Sequence, residues 1–358
     1  MSTRIAVIGV GLIGGSVALA ARERLGAHVT GFDRSPAALA AASSRRALDR
    51  ASASVAEAVA EVQAVFVAVP VGALAPVIGA ALASAPDDCV VTDVGSTKRT
   101  VVAACTDSRF VGGHPLAGAE TAGVEHARAD LFDAATWYLT PTASTSGVLY
   151  ERLYRLLRAL GARPAPIDAE THDRVLATVS HLPHVLANVL VSQAAGTLAL
   201  GGEQLPATGP SFRDATRVAG APSAIWADIY ISNRDALGEQ IGGLIERLGA
   251  VRAALEAADE GRIRAWNDAA AEDRRRLLEA QLAGGPLFEL RASVPNRPGV
   301  IAQLALELGR AGVNITDMAL YPAADMSEGV VALWIAGWEA ARRAEELVVG
   351  LGLPVARA

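Results

Sequence analysis

The apolar positions of the chain change period along its length, and the changes divide it into three parts. In the first, short apolar runs alternate with longer Ala-rich helical stretches. Ile5 to Ile8, His28 to Phe32, Ala64 to Val69, Cys89 to Thr92 and Phe110 to Gly112 read as strands, as do Trp137 to Thr140 and Pro164 to Ile167. Helices are predicted over Pro36 to Asp49, Val55 to Glu61, Leu74 to Ala83 and Leu149 to Leu160. Such alternation predicts an α/β domain over residues 1–168, with a Rossmann-like, parallel, doubly wound sheet.

From Ala169 to about Leu282 the pattern is helical only, broken at Pro183, Gly201-Gly202, Pro206 to Pro210 and Gly220 to Pro222, which predicts an all-α domain over 169–283. Pro183 reads as a helix start or kink. Val185 to Leu200 is the most apolar run; Asn188, Ser192 and Gln193 interrupt it, and it is short for a bilayer, so it reads as a buried core helix. Ile241, Leu244, Leu248, Val251 and Leu255 step by three and four, which suits either a core face or the seam of a helical homodimer. Beyond the linker Ala283-Gly284-Gly285-Pro286 the order changes to strand (Leu287 to Val294), helix (Val300 to Ala311), strand (Asn314 to Tyr321), strand (Val330 to Ala336), helix (Trp338 to Leu351) and a last strand. That order predicts a ferredoxin-like α+β domain over 286–358.

Composition excludes some classes. A formal charge of −6 over 358 residues argues against a general nucleic-acid binder, but not against a small anion held by a local arginine cluster. The first strand begins almost at the initiator methionine, so no signal peptide is read, and Cys89 and Cys105 make no disulfide framework. A reduced, cytoplasmic protein without membrane or nucleic-acid partners is the expectation. Lys98 is the only lysine among the 32 basic residues, so its position invites an explanation.

The first strand delivers Gly9, Gly11 and Gly14 at the G-x-G-x-x-G spacing, ahead of a helix. The glycines allow a tight turn, close approach to a pyrophosphate and close helix packing, and the N–H groups around Leu12 and Ile13 open the helix toward an anion. The second strand ends in Asp33, where a ribose-binding carboxylate belongs, so NAD is the expected dinucleotide; the adjacent Arg34 could soften discrimination against NADP. Val69-Pro70 and Asp93 end the next strands on the same edge and complete the cofactor-binding candidates.

His114, in G-G-H-P-L-A-G at a strand end, is placed to accept a proton beside a dinucleotide. His181 and His184 are three apart, but no H-E-x-x-H pattern accompanies them and no metal site is expected. Arg213 and Arg217 share a helical face at i, i+4, where two guanidinium groups suit an anion or pairing with Asp214 or Asp228.

These motifs together, G-V-G-L-I-G-G-S, D-V-G-S-T-K, G-G-H-P-L-A-G-A-E, H-D-x-x-x-A-x-x-S-H-L-P-H and F-R-D-A-T-R-x-A with Trp226, resemble the prephenate and arogenate dehydrogenases of tyrosine biosynthesis. R-P-G-V-I-A-Q-L-A onward resembles an ACT regulatory domain. The resemblance implies NAD-dependent oxidative decarboxylation of prephenate to 4-hydroxyphenylpyruvate, with arogenate as the alternative substrate. It implies His114 as the base at the ring hydroxyl, Ser96 contacting that hydroxyl and the nicotinamide, and Arg217 binding a substrate carboxylate. Ser180, His181, His184 and Trp226 would line the cleft, Glu120 would gate it, and Lys98 would hold the D-V-G-S-T-K turn or touch the ligand. Asn296, Pro298, Gly299 and Asn314 fall where ACT domains hold an amino-acid effector, here tyrosine; an ACT domain that only dimerises is the alternative. A β-hydroxyacid dehydrogenase is a more distant possibility, disfavoured because the helical region carries no lysine, as is a non-catalytic amino-acid sensor.

Overall fold

A computed structural model describes the chain apart from residues 1–2, 119–120, 202–207, 281–285, 296–299, 314, 324–326 and 358. It divides into two compact units, Met1–Ile245 and Glu246–Ala358.

The first unit opens with β1 (Arg4–Ile8), α1 (Leu12–Leu25), β2 (His28–Phe32), α2 (Pro36–Ser44), β3 (Arg50–Ala51), α3 (Val55–Val59) and β4 (Ala64–Val67). It continues through α4 (Val71–Ser84), β5 (Val90–Asp93), α5 (Arg99–Ala104), β6 (Phe110–Pro115), β7 (Thr136–Thr140), α6 (Gly147–Ala159) and β8 (Arg163–Pro166). These strands form one sheet in the order β3-β2-β1-β4-β5-β6-β7-β8. The period of two along β1 explains the layers: Ile5 and Val7 point into one core with α1 and α6, Ala6 and Ile8 into another with α3, α4 and α5. On α6, Leu149, Leu153 and Leu157 recur every fourth residue and are buried, each contributing about 1.5–3 kcal/mol of apolar burial.

Two features depart from the sequence expectation. The sheet is parallel from β3 to β6, but β7 runs antiparallel to β6 and β8 parallel to β7. Between β6 and β7 the described chain holds only a short 3₁₀ turn and no crossover helix, so it returns antiparallel, whereas α6 supplies a crossover for β8. The helix expected to reach Asp49 ends at Ser44, where Arg46 adopts φ +58°, and the freed segment leads the chain into β3 against β2.

A second set of helices follows: α7 (Ala169–Leu176), α8 (Leu182–Gly201), α9 (Pro210–Thr216), α10 (Ser223–Ser232) and α11 (Arg234–Glu256), which crosses the division between units. Asp168 caps α7, its carboxylate accepting from Thr171 N at 2.8 Å. Pro183 is the second residue of α8, in the first turn as expected of a helix start. A π-helical turn, Ala177–His181, joins α7 to α8 without a break, an arrangement that suits a ring lacking N–H and crowding the carbonyl four residues back. The stretch Ala169–Thr197 is long and apolar enough to cross a membrane by length and composition. Only 28% of its most apolar window is buried within the chain, with Val189, Leu190 and Val191 exposed, so it is not the buried core helix expected.

The second unit carries α12 (Glu260–Ala280), β9 (Leu287–Pro295), α13 (Val300–Arg310), β10 (Ile315–Pro322), β11 (Glu328–Ala336), α14 (Trp338–Gly350) and β12 (Val355–Arg357). After α12 the order is β-α-β-β-α-β, and the antiparallel sheet β10-β11-β9-β12 packs α13 and α14 over Leu290, Leu304, Leu333 and Val348.

Candidate active site

Two of the cavities in the first unit hold candidate residues. The smaller, about 190 Å³, lies at the carboxyl ends of β1, β2 and β4, where the strand order reverses between β1 and its two neighbours. Gly9, Asp33, Arg34, Val69 and Pro70 line it with Ala68 and Ala73. Gly9 has φ +93°, and a Cβ on Gly14 would stand 1.9 Å from the Gly9 carbonyl oxygen, so both are fixed by the turn and by helix packing. A Cβ on Gly11 would meet nothing within 4 Å: the turn is open where a ligand backbone would approach α1, which Leu12 and Ile13 begin. The Asp33 carboxylate is oriented by the backbone N–H groups of Val10 (2.9 Å) and Ser35 (2.8 Å). A diphosphate at the α1 terminus and a diol at Asp33 fit this crevice.

The larger cleft, about 910 Å³, is lined by β6 and the loop after it, by the α7–α8 junction and by the segment around Arg217 and Trp226. His114 reaches it from β6 at 8% exposure, and burial, with the nearby His172, Lys98 and His181, holds its pKa well below the ordinary imidazole value. Its Nδ1 lies 2.9 Å from His172 Nε2, and His172 Nδ1 lies 2.8 Å from Asp173 Oδ1. Asp173 also accepts from the backbone N–H groups of Lys98 (2.7 Å) and Arg99 (2.9 Å). Burial alone would raise the Asp173 pKa, but the His172 hydrogen bond and these two N–H groups outweigh it and hold the carboxylate ionised.

Opposite His114, Trp226 on α10 stacks on His184 at the start of α8, ring centroids 3.6 Å apart and planes 6° apart. Tyr230 OH meets His184 Nδ1, and Asn188 Nδ2 donates to the His184 carbonyl at 2.9 Å. Ser180 and the exposed Arg217, which caps the end of α9, complete the cleft wall.

Other candidates lie elsewhere. Lys98 is fully buried and paired with Asp93, whose carboxylate also accepts from Gly95 N (2.8 Å) and Gly113 N (3.1 Å). Both side chains therefore hold the turn between β5 and α5 and reach neither cavity. His181 is also buried, its Nδ1 3.1 Å from Asn233 Nδ2, and burial lowers its pKa to about 4; it supports the cleft from behind Trp226. Arg213 is exposed on α9, off the cleft wall, and Ser96 is half-buried in the β5–α5 loop. Glu120, Asn296, Pro298, Gly299 and Asn314 lie outside the described residues. No group of His, Cys, Asp and Glu suited to a metal ion occurs among the described residues.

Sequence reasoning did not single out His172, Asp173, Asn233 or Tyr230. The H-D dipeptide was a visible signal, but its contact with His114, 58 residues earlier, is made only by folding.

Residues 17–165 match the family described as "Prephenate dehydrogenase, nucleotide-binding domain", and residues 168–267 match "Prephenate dehydrogenase, dimerization domain". Among relatives, the prephenate dehydrogenase of Bacillus subtilis is 31% identical over 97% of this chain and 96% of its own. The cyclohexadienyl dehydrogenase of Zymomonas mobilis is 33% identical over 71% of this chain and 89% of its own. Among solved structures, the prephenate dehydrogenase of Aquifex aeolicus in complex with hydroxyphenyl propionate and NAD+ superposes with a TM-score of 0.71 at 26% identity, covering 76% of this chain and 98% of that one.

Proposed function

The chain belongs to the prephenate dehydrogenase family, and from that premise we propose that it oxidises prephenate with NAD, releasing carbon dioxide and 4-hydroxyphenylpyruvate, in tyrosine biosynthesis. The observation that carries the reading is His114, buried, neutral and facing a cleft whose far wall carries Arg217. NAD supplies the hydride acceptor; Gly11, the α1 N-terminus and Asp33 would hold it in the crevice.

His114 engages the ring hydroxyl and takes on its proton as the carbon beneath it loses hydride. The ring C–CO₂ bond breaks in the same change, its electron pair completes the aromatic ring, and the proton returns to the phenol oxygen. No net proton is released. Aromatisation drives the reaction, so the protein mainly positions: Arg217 holds a substrate carboxylate, and Ser180 and the His184–Trp226 stack bound the ring. Ser96, at the half-buried turn that Lys98 and Asp93 secure, would contact the hydroxyl on the nicotinamide side. Prephenate-dependent NADH formation by the purified protein tests this. Its absence would refute the reading, and faster turnover of arogenate would transfer it to the amino substrate, the alternative that the Zymomonas relative keeps open.

We further propose three parts: a cofactor domain over 1–168, a helical domain over 169–283 and an ACT-like ferredoxin fold over 286–358, the last supported by its β-α-β-β-α-β order and sheet β10-β11-β9-β12. Tyrosine feedback through Asn296, Pro298, Gly299 and Asn314 is part of the same proposal. The exposed apolar residues Val189, Leu190 and Val191 on α8 and Leu248 and Leu255 on α11 support a homodimer formed through the helical part. Covering the exposed apolar residues of α8 between copies, rather than by lipid, suits a cytoplasmic enzyme, because His172, Asp173 and His184 on the same run serve the cleft.

A further inference from the structure

We propose that His172 and Asp173 form a positioning relay that fixes the tautomer of His114, leaving its Nε2 as the unprotonated base on the cleft side. The proposal rests on the prephenate dehydrogenase reading and deepens it.

Each hydrogen bond in the chain has one possible donor when the rings are neutral. Asp173 is an ionised carboxylate receiving N–H groups from Lys98, Arg99 and His172, so His172 carries its proton on Nδ1. Its Nε2 then holds a lone pair and can only accept. The partner 2.9 Å away, His114 Nδ1, must therefore be the protonated nitrogen of that ring. The remaining nitrogen, Nε2, keeps its lone pair and can receive a hydroxyl proton. A free imidazole would exchange between tautomers and turn about its side-chain bonds.

The surroundings hold the relay in place. His172 is fully buried, with Tyr138 edge-on at 5.7 Å and 89°. Tyr138 sits opposite His114 in the β6–β7 ladder, so the strand paired with the one that presents the base clamps the base's partner, His172. Asn233 donates to the Asp173 carbonyl at 2.8 Å, fixing the backbone beneath the carboxylate. Charged and titratable groups around His114 are His172, His181 and Lys98, and Lys98 is neutralised by Asp93. Asp173 is thus the relay's own negative end. It makes His172 a stronger acceptor, and this supports the positive charge that His114 carries when it holds the proton.

The test uses the full-length protein, with His172→Phe removing the acceptor at similar ring size and His172→Gln returning an acceptor oxygen. With prephenate and NAD, His172→Phe should lower kcat on the order of 10²-fold. KM for both ligands should stay near wild type and the acidic limb of kcat should move to lower pH, while His172→Gln recovers most of the loss. Independently of activity, ¹⁵N spectra of histidine-labelled wild type should show His114 protonated at Nδ1 and bare at Nε2, its signals assigned by their loss in His114→Asn. A proton on Nε2, or wild-type kcat in a folded His172→Phe, would overturn the relay. Failure of the wild type to oxidise prephenate would overturn only the parent reading, and the ¹⁵N measurement would still decide the relay.

Discussion

Lys98, the chain's one lysine, is fully buried against Asp93, and the same carboxylate receives the N–H groups of Gly95 and Gly113. Burial lowers the Lys98 pKa, while Asp93 opposes that shift and keeps the pair together. Replacing Lys98 with Met would leave a carboxylate buried without its counter-charge, at a cost of about 3–5 kcal/mol. Denaturant unfolding should show a loss of this size, and a change under about 1 kcal/mol would mean the pair is not holding the β5–α5 turn.

His114→Asn should lower kcat by about 10²- to 10⁴-fold while NAD binding, followed by fluorescence, stays near wild type. The base works only when neutral, so activity is lost as pH falls through its pKa. Because burial lowers that pKa, kcat/KM should hold below pH 6.5 rather than decline there. A decline centred on 6.5 or above would assign the base to another group.

Arg217→Ala should raise the KM for prephenate, with a smaller change in kcat. A charge-assisted bond is worth about 1.5–3 kcal/mol, which corresponds to about 10- to 150-fold. An unchanged KM would remove Arg217 from the substrate site.

His181 predicts a pH dependence of stability. Its folded pKa of about 4 lies below the ordinary 6.5, so the unfolded chain binds the proton more readily. Stability is therefore full above pH 6.5 and is lost as pH falls toward 4, by on the order of 3 kcal/mol from this group. Thermal unfolding across that range should fall more steeply in wild type than in His181→Asn, and parallel curves would contradict the assignment.

Asp33 should make the enzyme prefer NAD, since its fixed carboxylate repels a 2′-phosphate. Asp33→Ala, with Arg34 left exposed at the crevice, should raise kcat/KM for NADP relative to NAD. Equal use of both cofactors by the wild type would show that Arg34 outweighs Asp33.

The sequence by itself determined the strand-helix alternation, the glycine turn, the acid at the end of β2 and the histidine at the end of β6, because each depends on local periodicity or a few adjacent residues. The same holds for the β-α-β-β-α-β order of the second unit. Tertiary structure decided which of the clustered polar residues face ligand. His181 and His184 are three residues apart in one motif, yet His181 turns to Asn233 while His184 stacks on Trp226 at the cleft wall. Lys98 and Asp93 neutralise each other out of reach of either cavity, and β7 reverses direction for want of a crossover helix. These outcomes follow from contacts between residues far apart in the chain, as between His114 and His172, where burial and a partner's free lone pair set each side chain's role.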